Sequence, residues 1–249
     1  MQLSMQGGVG IVTGGGSGLG RAICMRLAQE GAFVAAVDIN MDGATQTAKD
    51  ITAGGGKAAA FRCDISDPAQ VTATITAVQS QLGAPKWLFN AAGIVSHGRV
   101  EQVSYETFSK VLAINVGGAF LMSKAVLPFL VQNQGSIVNV ASLAGTMGVP
   151  YMVSYSTSKG ALIAMTRAMA KEYVDRKVRI NVLAPGGIET PMYDVPFPPD
   201  ANPEILATLP RTSMALAKPS ELANMAVFIA SPEGGNISGS VVAVDGAST

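Results

Sequence analysis

The residues Thr13-Gly14-Gly15-Gly16-Ser17-Gly18-Leu19-Gly20 follow a short apolar run at 10–13 and pass straight into RAICMRLAQEG, which has helical character. Glycines at a strand-to-helix turn let the backbone approach a pyrophosphate, and the helix N-terminus adds amide donors and the positive end of a dipole. The spacing is G-x-x-x-G-x-G, through Gly14, Gly18 and Gly20, and no G-x-G-x-x-G can be drawn through these glycines. Taken alone, the stretch has one alternative reading, a Gly-rich turn with no ligand.

Outward from this turn, short apolar runs alternate with longer helical patterns along the whole chain. Strands are expected at 10–13, 33–37, 58–63, 87–90, 136–140, 179–183 and 241–244. Helices are expected at 18–30, 43–53, 68–82, 105–132, 154–173 and 220–230. The strands are too short and too apolar for exposed hairpins and suit a parallel sheet covered on both faces. Parallel neighbours need crossovers, nearly all right-handed, so the expectation is a doubly wound α/β (Rossmann) fold of about seven strands. A chain of 249 residues is at the upper end of what one core serves, so 1–249 is expected to be one domain. The break in the pattern is at 190–213, which holds Pro191, Pro196, Pro198, Pro199, Pro203 and Pro210. Proline at that density prevents a long helix, which makes this an irregular insertion or cap.

Asp38 ends the second strand, 18 residues past Gly20. An acid there can accept hydrogen bonds from both adenosine ribose hydroxyls and repels a 2′-phosphate. Where a 2′-phosphate site would offer a cation, the chain has Ser17, Ile39 and Asn40. The cofactor expected is therefore NAD, the alternative being an ordinary strand-end acid. Cys63-Asp64-Ile65 ends the third strand and Asn90-Ala91-Ala92-Gly93 the fourth, both at carboxyl ends where such sheets bind ligands.

Tyr155 and Lys159 lie four residues apart and so share one helix face. A free phenol titrates near ~10. A lysine charge at ~4 Å contributes ~4 kcal/mol at an effective dielectric of ~20, enough to lower that pKa by ~3 units. Tyr155 is thus expected near working pH as a general acid/base. Tyrosine and lysine at this spacing also occur on helices with no chemistry, but Ser142 stands 13 residues before Tyr155, just after the fifth strand, placed to bond a substrate oxygen.

With its TG-x-x-x-G-x-G loop, N-A-A-G turn, mid-helix asparagine, serine, Y-x-x-x-K and P-G turn in order, the chain resembles the short-chain dehydrogenase/reductase family over essentially its whole length. The resemblance implies that Tyr155 moves the substrate proton and Ser142 orients the oxygen. It implies that Lys159 holds the nicotinamide ribose and lowers the tyrosine pKa, and that Asn115 supports a water leading from the lysine. It implies cofactor contacts from Gly14, Ser17, Gly18, Leu19, Asp38, Ile39, Cys63, Asp64, Ile65, Asn90, Ala91, Gly93, Tyr155, Lys159, Pro185, Gly186, Ile188 and Thr190. One departure is Ala91, where the family often has a second asparagine. The activity implied is hydride transfer between NAD and a secondary alcohol or ketone. Alternatives are a 3-oxoacyl-thioester reductase or 3-hydroxyacyl-CoA dehydrogenase, and a catalytically silent scaffold, which would typically have lost the tyrosine or lysine. A homotetramer is expected, through the helices at 105–132 and 154–173 and the apolar segment SGSVVAVDGAST.

Composition narrows the partners. Lys+Arg and Asp+Glu both number 17, leaving no basic excess for nucleic acid. The start, MQLSMQGG, does not read as a signal peptide, and no apolar run is expected to reach the ~18 residues of a membrane span. Cys24 and Cys63 are too few for a disulfide framework, so the cytosol is expected. The single histidine, His97, cannot make a metal site and reads as loop structure or a pocket wall. Trp87 reads as packing. Met147, Met152 and Met192 fall near the expected pocket. Met192, Tyr193, Val195 and Phe197 at the start of the cap favour an uncharged, partly apolar substrate.

Overall fold

The computed structural model describes residues 3–209 and 215–248. The strands are β1 Val9–Thr13, β2 Phe33–Asp38, β3 Lys57–Arg62, β4 Pro85–Asn90, β5 Ser136–Val140, β6 Arg179–Pro185 and β7 Val241–Val244. All pair in parallel in one sheet of order β3-β2-β1-β4-β5-β6-β7. The helices are α1 Gly18–Gln29, α2 Met41–Ala53, α3 Pro68–Leu82, α4 Tyr105–Leu112, α5 Ala119–Asn133, α6 Val153–Glu172, α7 Pro203–Leu206 and α8 Pro219–Ala230. The sheet's direction of winding reverses between β1 and β4, and a ligand crevice opens at the carboxyl ends there.

The central strands are apolar on both faces because both faces are covered. On β1, Val12 packs with Ile23 and Leu27 of α1 and Leu222 and Val227 of α8. Its neighbour Ile11 points the other way, to Val71 and Ile75 of α3 and Met122 and Val126 of α5. Each such side chain contributes about 1.5–3 kcal/mol by leaving water. The helices start where the sequence can cap them. Asn40 accepts from the amides of Asp42 and Gly43 at α2, and Asp67 accepts from those of Ala69 and Gln70 at α3, with Pro68 at the first turn.

The helix expected at 105–132 is one continuous rod with a π-helical segment, Ala113–Gly118, between α4 and α5. Over Tyr105–Asn133 this rod is 29 residues long, with a window of mean hydropathy 1.6. By length and composition it could cross a membrane, which overturns the expectation that no apolar run comes near that length. Its apolarity has a use inside the fold, because α5 packs against β4, β5 and α3. The cap holds only the four-residue α7, consistent with its prolines; its last part, 210–213, lies outside the described residues.

Candidate active site

The turn after β1 is shaped by close approaches that exclude side chains. Gly14 has φ +69°, and a Cβ on it would meet the backbone of Ala92 at 3.0 Å. A Cβ on Gly20 would overlap the carbonyl oxygen of Gly14, so α1 sits closer to the turn than any other residue permits. Thr13 Oγ1 accepts from the amides of Ala91 (3.1 Å) and Ala92 (3.1 Å), tying the first turn to the N-A-A-G turn after β4. At the start of α1, Ser17 makes no side-chain cap. The first-turn amides therefore face the cleft without a side-chain acceptor, as an anion site requires. A pyrophosphate fits this cradle, so the residues present suit a dinucleotide.

Asp38 closes the far side of the turn. Its Oδ2 accepts from the amide of Gly16 at 2.9 Å and its Oδ1 from that of Asn40 at 2.9 Å. The carboxylate is thereby fixed beside the glycine loop with lone pairs left over for a ligand.

At the other end stand Ser142, Tyr155 and Lys159. Ser142 follows β5 and caps a short turn, accepting from Ala144 N at 3.2 Å. It also hydrogen-bonds Tyr155. Lys159 is buried, donates from Nζ to the carbonyl of Val140 at 2.8 Å, and lies 5.4 Å from the Tyr155 ring centroid. Here the expectation of a lowered phenol pKa is corrected. Burial pushes the Tyr155 phenol up to about 12, opposed only by the Ser142 hydrogen bond. Burial also pushes the Lys159 ammonium down to about 8. Desolvation outweighs the attraction that the lysine would supply at ~4 Å, because both groups lie out of water.

A cleft of about 620 Å3 joins the two ends. Of the residues expected at the site, Gly14, Ser17, Gly18, Leu19, Asp38, Ile39, Cys63, Asp64, Ile65, Ala91, Gly93, Ser142, Tyr155, Lys159, Pro185, Gly186, Ile188 and Thr190 line it. Asn90 and Asn115 stand behind its wall. Asn90 Nδ2 donates to Asn139 Oδ1 (2.8 Å), Ser123 Oγ (3.2 Å) and the Ala119 carbonyl (3.4 Å), bracing β4 from below. Asn115, in the π-helical segment, accepts from Ile94 N (2.8 Å) and donates to Ile94 O (2.9 Å) and Ser158 Oγ (3.0 Å). It clamps the loop after β4 to α6. Sequence reasoning missed Ile94, Lys110 and Ile114, which also line the cleft. Their signal was position alone: Ile94 directly follows the N-A-A-G turn, and Lys110 and Ile114 share the helix of Asn115.

His97 lies outside this cleft. Its Nδ1 is 3.1 Å from the carbonyl of Pro196 and its ring stacks on Phe197, so it belongs to the cap contact. Among the described residues no cluster of His, Cys, Asp or Glu could hold a metal ion.

Residues 14–249 match the family model described as enoyl-(acyl carrier protein) reductase. The chain is 36% identical to 2-(S)-hydroxypropyl-CoM dehydrogenase 3 of Xanthobacter autotrophicus, covering 96% of this chain and 95% of that protein. It is 38% identical to a 2,5-dichloro-2,5-cyclohexadiene-1,4-diol dehydrogenase of Sphingobium indicum, over 97% and 96% of the two chains. Among solved structures, 3-ketoacyl-(acyl-carrier-protein) reductase of Brucella melitensis, complexed with NADH, superposes with a TM-score of 0.88 at 34% identity, covering 98% of this chain and 99% of that one. The fold, the order of the motifs and these relatives agree: the chain belongs to the short-chain dehydrogenase/reductase family, oxidoreductases that act on CH–OH groups with a nicotinamide cofactor and a tyrosine acid/base.

Proposed function

We propose that this protein is an NAD-dependent dehydrogenase of a secondary alcohol, with Tyr155 as proton carrier, Ser142 orienting the substrate oxygen and Lys159 holding the nicotinamide ribose. The observation that carries the NAD assignment is the Asp38 carboxylate, held at the end of β2 by the Gly16 and Asn40 amides with Ser17, Ile39 and Asn40 around it. A 2′-phosphate there would meet an anion and no compensating cation among those neighbours. When bound, the oxidised nicotinamide would supply the hydride acceptor and a positive charge. Tyr155, as its phenolate, takes the hydroxyl proton, and Ser142 holds the alcohol oxygen within reach of it. Ile94, Pro191 and Met192 add apolar surface to the cleft, in keeping with an uncharged, partly apolar substrate. The test is a screen of secondary alcohols with NAD and with NADP, read by absorbance of the reduced cofactor. Equal or better turnover with NADP would overturn the NAD assignment.

Asp38→Ala is expected to weaken NAD binding by about tenfold or more, the loss of charged hydrogen bonds, and to relax discrimination against NADP. Unchanged constants for both cofactors would remove Asp38 from the site. A second reading, a 3-oxoacyl-thioester reductase, is favoured by the likeness to the Brucella melitensis reductase. Oxidation of NADH by a 3-oxoacyl thioester at a rate above that of any alcohol would select it.

For the assembly we propose a homotetramer. Phe120 on α5 is 50% exposed, and Ala164 and Ala168 make an exposed small-residue face on α6. At the sheet edge β7 is only half-buried. Two such faces would generate dihedral symmetry; Thr249, at the end of the second, lies outside the described residues. Light scattering at micromolar concentration should give four times the chain mass, and a monomer would refute the proposal. Cys24 and Cys63 are free and buried, which supports the cytosol as the proposed compartment.

A further inference from the structure

Five described residues other than glycine have a left-handed backbone: Ser4, Gln134, Tyr151, Lys177 and Ala247. Four are exposed, as turn residues usually are, while Tyr151, at φ +63°, is buried. A bulky buried residue keeps this conformation only where its surroundings over-determine it, and such residues gather at functional sites.

The surroundings of Tyr151 join three parts of the molecule. Its hydroxyl accepts from the backbone amide of Asn202 in the cap at 2.8 Å and from Arg99 Nη2 at 3.4 Å. Its ring lies edge-on to Phe197 of the cap, 6.3 Å between centroids, with the Arg99 guanidinium 5.5 Å from its own centroid. Its carbonyl accepts from Gly98 N at 2.8 Å, beside the bridge between Gly98 and Met152. Other contacts between cap and loop lie to one side: Phe197 stacks on His97 at 4.4 Å, and Gln102 Nε2 donates to Asp200 Oδ2 at 2.9 Å. Only Tyr151, among these, also leads into the catalytic helix, since Met152 caps α6 and Tyr155 follows in its first turn. The cap in turn supplies Pro191 and Met192 to the cleft wall.

We propose that Tyr151 is a positioning residue that latches the cap over the cleft and, through its left-handed backbone, sets the start of the helix carrying Tyr155. The side chain does the first and the backbone the second. This rests on the reading of the cleft as the alcohol site.

Two substitutions separate these roles. Tyr151→Phe removes the acceptor for Asn202 N and keeps the ring and the backbone. Hydrogen exchange followed by mass spectrometry should show faster deuterium uptake in the peptide containing Asn202. KM for the best alcohol of the screen should rise by about tenfold, the scale of one lost hydrogen bond. Turnover and NADH affinity should stay within about twofold. Tyr151→Gly releases the backbone as well, so turnover should also fall, by about tenfold or more, with NADH affinity again held. Unchanged exchange at Asn202 and unchanged KM in the Phe variant would overturn the latch. A Gly variant with the turnover of the Phe variant would overturn the backbone role. The exchange readout does not depend on catalysis, so an error about Tyr155 would appear separately, as an active Tyr155→Phe protein whose cap still loosens when Tyr151 loses its hydroxyl.

Discussion

Tyr155→Phe should lower alcohol oxidation by about 10²–10⁴-fold, the range for loss of a positioned general base, while NAD binding stays nearly intact. The substitution removes one oxygen and keeps the ring among its neighbours, so the fold should not register it. The pH dependence tests the same assignment from another side. In the protein alone, burial holds the phenol up to about 12. Its folded value is raised above the usual tyrosine pKa of about 10, so this group adds stability below pH 10 that is lost as pH rises through 12. Difference absorbance between wild type and Tyr155→Phe, without cofactor, should therefore show no tyrosinate from Tyr155 below about pH 10. Oxidation needs the phenolate, so its rate should rise with pH, and with a cationic neighbour in place the apparent pKa should fall well below the cofactor-free value. A Phe variant active within a few-fold of wild type would sink the mechanism. A tyrosinate signal near neutral pH in the cofactor-free protein would instead show that Lys159 suffices to lower the phenol.

What could be read from the sequence was set by period and by turn chemistry. The five inner strands and their carboxyl-end motifs were legible because a strand buried on both faces is a short apolar run bounded by turn residues, and the less buried edge strands β3 and β7 were legible by their place in the alternation. Asp38 ends a strand, Ser142 stands just past one, and Tyr155 and Lys159 lie in the first two turns of a helix, so a local reading put all four on the rim of one cleft. The π-helical segment at Ala113–Gly118 was not legible, since one wider turn barely disturbs an apolar period. Asn115, within it, braces Ile94 and Ser158. Asn90 is the last residue of β4, and strand alternation turns its side chain down to Asn139 and Ser123 while Ala91 faces the cleft. The start of α2 was read at Gly43, although Asn40 caps it. The ionisation of Tyr155 was beyond the sequence altogether. A separation of four residues says that two side chains share a face, but the balance of attraction against desolvation depends on how much water each has lost.

Lys159→Met carries the second large expectation, and part of it concerns stability. Activity should fall by about 10²-fold or more, the scale of removing a preorganised charged donor, and any residual oxidation should shift to higher pH because a charge favouring phenolate is gone. The stability effect follows from burial, which takes the ammonium from 10.5 down to about 8. Between those two values the unfolded chain holds a proton that the folded chain has released, so stability rises with pH across that window. Below pH 8 the cost of burying the charge is present in full, about 3 kcal/mol, offset in part by the bond to Val140 O. Methionine removes the titration and leaves that carbonyl without its donor, so the two proteins should differ little near neutrality. On going from pH 7 to 9.5, wild type should gain about 2 kcal/mol over the variant, from the same linkage relation. Urea unfolding of both proteins at the two pH values measures this difference directly, and the remaining lysines and tyrosines cancel between them. Parallel stability curves would mean that Lys159 keeps an ordinary pKa in the fold. The phenol would then have a fully charged neighbour even without cofactor, and the argument that burial outweighs the lysine would fail.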